Sequence, residues 1–271
     1  MPEGHTLHRL AKEHQARFGG GVVRVSSPQG RFAEGAAMVD GRVLMRAEAW
    51  GKHLLHHYDS GLVVHVHLGL YGKFTESVGV VGDPVGQVRM RMVGAGKAGA
   101  QVVGADLRGP TACEVMDDAA VAALTARLGP DPLRRNADPE RAWQRIHRSA
   151  RPVGALLMDQ QVLAGVGNVY RAEVLFRHGI SPQRPGRSLA AAEWDELWAD
   201  LVELMRIGVR RGKIVVVRRE HDHGAPSYAE GKPRTYVYRR AGESCRLCGT
   251  TVLHSVLEGR NLFWCPTCQP G

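Results

Sequence analysis

Long apolar runs are missing from this 271-residue chain. No stretch approaches the roughly 18 apolar residues that a membrane-crossing helix requires. The opening MPEGHTLHRL carries an acid and two histidines where a secretory signal would have an apolar core. A cytoplasmic protein without membrane association is therefore expected. Cysteine is scarce too: of five, only Cys113 precedes Cys245. That excludes a disulfide framework over most of the chain, and Cys113 alone reads as a small buried hydrophobe rather than a nucleophile. No repeat or low-complexity tract is present, which excludes solenoid architectures.

Acidic residues are outnumbered, 27 against 36 Lys+Arg, for a net charge of +9. The excess is uneven. Between Arg206 and Arg246, eleven basic residues face four acids, a local balance of +7. Such a concentration suits a polyanion, because each neutralised phosphate releases condensed counterions; a solvated charged face is the alternative.

The chain is longer than most single domains, and its hydrophobic period changes partway along. Leu7, Leu10, Ala11, His14 and Phe18 recur at helical spacing, predicting an amphipathic helix that stops at Gly19. From Val22 to Val115 the pattern becomes short strand-like runs (VVRV, RVLM, HLLHHY, LVVHVHL, VRMRMV, ACEVM) punctuated by glycines, as in a β-sandwich or barrel. Helical segments are expected over 117–128, 139–148, 154–160, 168–178 and 188–211, with a domain boundary near 130 at the turn Gly129-Pro130-Asp131-Pro132. The stretch 212–234, rich in Gly, His and charge, is expected to be a loop.

Two CxxC pairs, Cys245-Arg-Leu-Cys248 and Cys265-Pro-Thr-Cys268, lie 16 residues apart. Each pair can set two thiolates on one tight turn, and two such turns complete a tetrahedral zinc site with Zn–S distances of about 2.3 Å. The strand-like runs between them flank Glu258-Gly259, predicting a β-hairpin whose ends one structural zinc ion would join.

At the other end of the chain, removal of Met1 would leave Pro2 with a free secondary amine beside Glu3. An α-amino group titrates near pH 8, so a useful fraction is an unprotonated nucleophile at neutral pH. Attack on C1′ of a deoxyribose would yield an iminium that cannot lose its charge by deprotonation at nitrogen, and Glu3 would move protons beside it. Taken alone, a Met-Pro start is also what a frayed terminus looks like.

The start MPEG, the segments GKHLL (51–55) and HLGLYG (67–72), the stretch LLMDQQVLAGVGNVYRAEVLF and the final CRLCGT…GRNLFWCPTCQ occur in one order from residue 2 to the carboxy-terminal cysteines. Together they resemble the formamidopyrimidine-DNA glycosylase and endonuclease VIII family. The resemblance implies an α+β protein: an N-terminal β-sandwich catalytic domain with an N-terminal helix (1–130), a helix-two-turns-helix DNA-binding domain with a lesion loop (131–234) and a zinc-ribbon finger (235–271). It implies a bacterial base-excision-repair enzyme that works on damaged DNA as a monomer, nucleoid-associated through that DNA. Pro2 becomes the Schiff-base nucleophile and Glu3 the general acid/base; Lys52, Asn168 and Arg260 become contacts to phosphates around the lesion. Glu173 matches an interior glutamate of structural role. Leu70-Tyr71 resembles the intercalating pair of the endonuclease VIII type. Gly109-Pro110 follow Arg108 where the formamidopyrimidine type carries a phenylalanine wedge. Both features favour oxidised pyrimidines over 8-oxoguanine, and the resemblance further implies a strand cut by β,δ-elimination. Thr6 stands where glutamate is common in the family. Two alternatives remain open at this point, an 8-oxoguanine glycosylase and a catalytically silent zinc-ribbon protein that binds damaged DNA.

Overall fold

Leu7, Ala11, His14 and Phe18 are spaced by four, three and four residues, and all are buried, so one stripe of helix α1 (Gly4–Phe18) seals against the sheet behind it. The computed structural model describes residues 2–96, 101–222 and 234–271. They divide into two compact units, Met1–Arg127 and Leu128–Gly271.

In the first unit, α1 is followed by β1 (Val22–Ser26), α2 (Ala33–Val39), β2 (Arg42–Trp50), β3 (His53–Tyr58), β4 (Val63–His67), β5 (Lys73–Val78), β6 (Val88–Ala95), β7 (Val102–Arg108) and β8 (Ala112–Met116). The strands run in the order β5-β7-β6-β1-β2-β3-β4-β8, all antiparallel. Two four-stranded halves meet at β1 and β2, which share only the pairs Val22–Val43 and Val23–Arg42. So short a ladder is where a twisted sheet can fold over on itself, and side chains of both halves enter one core with α1 and α2: Val23, Met90, Met92 and Leu107 from one, Leu44, Leu54, Val64 and Val66 from the other. This is the β-sandwich that the short alternating runs predict. β5, β7 and α2 add to the predicted runs. Their residues are mixed (KFTESV, VVGADLR, AEGAAMV), and β7 is drawn in by β5 and β6 on either side.

The second unit is helical: α3 (Asp118–Ala126) ends the first, and α4 (Pro139–Ile146), α5 (Val153–Leu156), α6 (Asn168–Arg177) and α7 (Ala191–Arg211) follow. Asp117 and Asp138 cap α3 and α4 by accepting from Ala120 and Glu140 amides, with Pro139 at the first turn of α4. α5 is one turn, shorter than the helix expected over 154–160, because Asp159 accepts the amides of Val162 and Leu163 through its carbonyl and the chain folds into turns. α7 ends at Gly212, left-handed at φ 68°. Of the predicted loop 212–234, residues 223–233 lie outside the described residues; Arg219–His221 form a single 3-10 turn. The final hairpin pairs β9 (Leu253–Leu257) with β10 (Arg260–Trp264). It shares a core with α6: Val169, Ala172 and Phe176 pack with Tyr236, Val237, Val252 and Phe263. Among the described residues, no helix is long and apolar enough to cross a membrane.

Candidate active site and nucleic-acid contacts

Pro2 and Glu3 lie against the body of the first unit rather than projecting from it. Glu3 is the N-cap residue of α1 and is completely buried, Pro2 is half-buried, and the Glu3 carbonyl accepts the Thr6 amide at 2.9 Å. A carboxylate out of water is costly unless something offsets its charge. The start of a 15-residue helix, with its positive dipole end, is such a place. One residue on, burial and the chain's amino terminus hold His5 neutral, its pKa down at about 4.

Lys52 sits in the tight β2–β3 turn behind Gly51 (φ 57°). Antiparallel register sets His53 opposite His67, and His65 on the same face two residues before it. Here a line of hydrogen bonds forms: Glu114 Oε1 to His65 Nδ1 at 2.9 Å, then His65 Nε2 to His53 Nδ1 at 2.9 Å. Burial, the neighbouring imidazoles, Arg127 and Lys52 keep His53 unprotonated, its pKa at about 3; burial, His65 and Lys52 lower that of His67. The sequence hinted at this in its HLLHHY and HVH runs, but a role for the histidines needs the register of three strands and is invisible in one segment.

Leu70 and Tyr71 project from the β4–β5 turn, 52% and 86% exposed, which is unusual for such large apolar groups. Two glycines make that turn possible. Gly69 (φ 65°) would drive a Cβ into Thr111 Oγ1, and Gly109 (φ 59°) lies against the Tyr71 backbone. Gly109-Pro110 thus forms part of the base of the Leu70-Tyr71 turn. Arg108 is engaged locally, donating to the Val85 carbonyl at 3.0 Å and to Asp106 at 3.1 Å.

Asn168 opens α6 and is buried at 7% exposure, while Arg260 opens β10 and is exposed. The two are linked through Asn261. Asn168 Nδ2 donates to the Asn261 carbonyl at 2.9 Å, Arg171 donates to the same carbonyl at 2.8 Å, and Arg171 also donates to Asn168 Oδ1. Arg171, one helical turn past Asn168, also reaches the Gly154 carbonyl at 3.2 Å. Its signal in the sequence is an arginine that, with Glu173, interrupts the apolar run VYRAEVLF. The Gly-Val-Gly-Asn loop before α6 is held by Gln160, whose amide donates to the Met158 and Val166 carbonyls and accepts the Gly165 N–H, each at 2.9 Å. Glu173 grips the chain leading into the hairpin, accepting the amides of Tyr236, Val237 and Tyr238 at 2.6, 3.0 and 2.9 Å. Burial pushes its pKa up, against the pull of those three amides and Arg240.

The sulfurs of Cys245, Cys248, Cys265 and Cys268 all lie within 4.8 Å of one another, with Cys245–Cys268 at 3.8 Å and Cys248–Cys265 at 3.5 Å. Four sulfurs about 2.3 Å from a tetrahedral zinc would be about 3.8 Å apart, so the donor set and its spacing fit zinc. Backbone amides of Leu247 and Cys268 point at Cys245 and Cys265 sulfurs at 3.5 Å, the outer hydrogen bonds that thiolate ligands attract.

Comparison with known proteins accounts for this combination. Residues 1–113 match the formamidopyrimidine-DNA glycosylase N-terminal domain, and residues 128–219 its H2TH domain. The chain is 65% identical over 273 residues to Endonuclease 8 1 of Mycobacterium tuberculosis, covering 99% of this chain and 100% of that protein. It is 33% identical to the formamidopyrimidine-DNA glycosylase of Thermus thermophilus, covering 98% of this chain and 91% of the relative. Among solved structures, MutM (Fpg) from Thermus thermophilus superposes with a TM-score of 0.74 at 29% identity, over 99% of this chain and 98% of that one. The Lactococcus lactis enzyme bound non-covalently to AP-site DNA superposes with a TM-score of 0.78 at 21% identity, over 99% of this chain and 100% of that one. The chain therefore belongs to the formamidopyrimidine-DNA glycosylase and endonuclease VIII family of DNA glycosylases.

Proposed function

We propose that the protein excises oxidised pyrimidines from DNA and then cuts the strand at the abasic site. With Met1 removed, the Pro2 nitrogen attacks C1′ of the flipped nucleotide and displaces the base, which takes up the proton the nitrogen gives up. The C1′–O4′ bond then opens, O4′ takes a proton, and a proline iminium forms at C1′. Its positive nitrogen draws electrons from C2′ as a proton departs, expelling the 3′ phosphate; a second elimination releases the 5′ phosphate. Glu3 moves protons at the sugar. The observation that carries this reading is the burial of Glu3 at the head of α1, with Pro2 held beside it. A frayed Met-Pro terminus would bury neither.

Flipping a nucleotide costs a few kcal/mol of stacking, and the remaining residues supply what offsets it. Lys52, Asn168 and Arg260 hold the backbone phosphates, while Leu70 and Tyr71 fill the space the base vacates. Residues 1–130 act as the catalytic domain, 131–234 as the helix-two-turns-helix domain with its lesion loop, and 235–271 as the finger. One zinc ion on the four cysteines would hold that finger folded. The chain works as a monomer in the bacterial cytoplasm. Preference for pyrimidines rests on Leu70-Tyr71, on the Gly109-Pro110 turn in place of an aromatic wedge, and on the likeness to a relative named Endonuclease 8 1.

Borohydride reduction of the protein on a lesion-bearing duplex tests the mechanism. A covalent adduct is expected and should vanish in Pro2→Gly; failure to trap one would favour a binding protein. Single-turnover rates on thymine glycol and 8-oxoguanine duplexes test the substrate, and faster 8-oxoguanine release would overturn the pyrimidine assignment.

A further inference from the structure

The zinc cluster and Arg260 sit at opposite ends of the β-hairpin. Cys265 follows β10 directly, whereas Arg260 is its first residue, five positions away. At about 3.4 Å per residue the intervening strand spans roughly 17 Å. A two-stranded hairpin of this size has little stability of its own, so metal at the base leaves the tip free to move unless other contacts hold it. The tip is the two-residue turn Glu258-Gly259, both residues left-handed at φ 45° and 72°. Glutamate is a costly choice there, since only glycine, asparagine and aspartate adopt this region readily.

Its side chain offers a reason. Glu258 receives a bidentate pair of hydrogen bonds from Arg151, Nε to Oε1 at 3.1 Å and Nη2 to Oε2 at 2.7 Å. Arg151 is 107 residues away in the chain, just before α5. Its third nitrogen, Nη1, donates to Asp159 at 2.9 Å, so the guanidinium is anchored to the helical body as well. Alongside, Leu257 packs into the space left by Gly154, where a Cβ would stand 3.3 Å from Leu257 Cδ2. On the other side of Arg260, the Asn261 carbonyl is clasped by Asn168 and Arg171. Arg260 is thus bracketed, and of the two brackets only the Glu258 one is ionic and solvent-accessible.

We propose that Arg151 and Glu258 are positioning residues: their bidentate pair fixes the hairpin tip so that Arg260 is held ready for a DNA phosphate before DNA arrives. The inference rests on the reading of Arg260 as a phosphate contact. It explains an acidic group two residues from a DNA-binding arginine, which electrostatics alone would disfavour. Arg151, Asp159 and Glu258 together carry a charge of −1, so the cluster attracts no phosphate by itself.

The opposing signs make Glu258→Gln decisive. It removes a negative charge beside the DNA path, so if charge alone mattered, binding would tighten. If the pair positions Arg260, binding of a duplex carrying a reduced abasic site should weaken about two- to fivefold, the range that an exposed bidentate pair can hold. Arg151→Met should weaken it similarly, and the double variant no further. In an Arg260→Ala background the Glu258→Gln penalty should vanish, with zinc content and melting temperature unchanged. Tighter binding in Glu258→Gln, or a penalty that survives in Arg260→Ala, would overturn the proposal. Arg260→Ala itself should weaken binding and flatten its salt dependence by about one unit of slope. If it does neither, the phosphate reading fails first, whatever Glu258→Gln shows.

Discussion

Glu173 shows how much one buried side chain can organise. Every partner it has in the finger's leading segment is a donor: three consecutive backbone amides, at 2.6 to 3.0 Å. An acceptor-only carboxylate satisfies all three, whereas an amide would turn an N–H against an N–H. Glu173→Gln should therefore destabilise the carboxy-terminal unit by about 2–4 kcal/mol, since it strands a buried donor and weakens the remaining bonds. Urea unfolding followed by tryptophan emission checks this, because all the protein's tryptophans but Trp50 lie beyond residue 128. A change below about 0.5 kcal/mol would overturn the reading of Glu173 as an ionised acceptor of the three amides. The residue is visible in the sequence only as one acid among apolar neighbours; its partners, more than 60 residues away, are not.

At the scale of elements, the hairpin and the sandwich differ in how much local sequence reveals. The hairpin is legible because its determinants are local: two CxxC turns, alternating runs and a Glu-Gly tip, observed as β9 and β10 over Leu253–Leu257 and Arg260–Trp264. α1 is legible for the same reason, ending at Phe18 with Gly19 as its cap. β7 and β5 are not, since Ala105 and Gly104 have weak strand preference and are drawn in by their pairing with Glu76 and Ser77. The clasp of Asn168, Arg171 and Asn261 is likewise a product of packing between α6 and β10 and could not be read from either segment. The hairpin's dependence on its base gives a test at this scale. Cys248→Ser should lower zinc content and DNA affinity together, because without the metal the tip that carries Arg260 loses its foundation. Metal analysis with anisotropy titrations measures both, and full affinity in a zinc-free variant would contradict the finger's proposed role.

Across the whole molecule, acid sensitivity is concentrated in one unit. Among the described residues all four buried histidines, His5, His14, His56 and His65, belong to the amino-terminal unit. His14, on α1, shares a hydrogen bond of 2.9 Å with His56 on β3, both out of water. The Glu76 carboxylate lies 3.4 Å from His14 Nε2 but is engaged by Arg17, so burial, reinforced by the Arg17 charge, holds the His14 pKa at about 3. Burial likewise takes His56 well below the usual value of 6.5, and His5 down to about 4. These are bases whose folded pKa lies below the unfolded one. Above 6.5 neither state binds the proton; below it the unfolded chain takes up protons that the folded one refuses, and stability falls until the folded values near 4 and 3 are reached. By about pH 5.5 each such imidazole costs roughly 1 kcal/mol relative to about pH 7.5. These three, with His53 in the same unit adding in the same sense, should lower the melting temperature of this unit by at least about 10 °C. Differential scanning calorimetry at the two pH values should therefore show the amino-terminal transition moving down by more than the carboxy-terminal one. His14→Leu should reduce that shift, because the substitution removes one proton acceptor from the unfolded chain while keeping an apolar side chain under α1. Equal shifts for both transitions would place the acid-labile groups elsewhere, and the neutral histidine pair would then not be what ties the helix bearing Pro2 and Glu3 to the sheet.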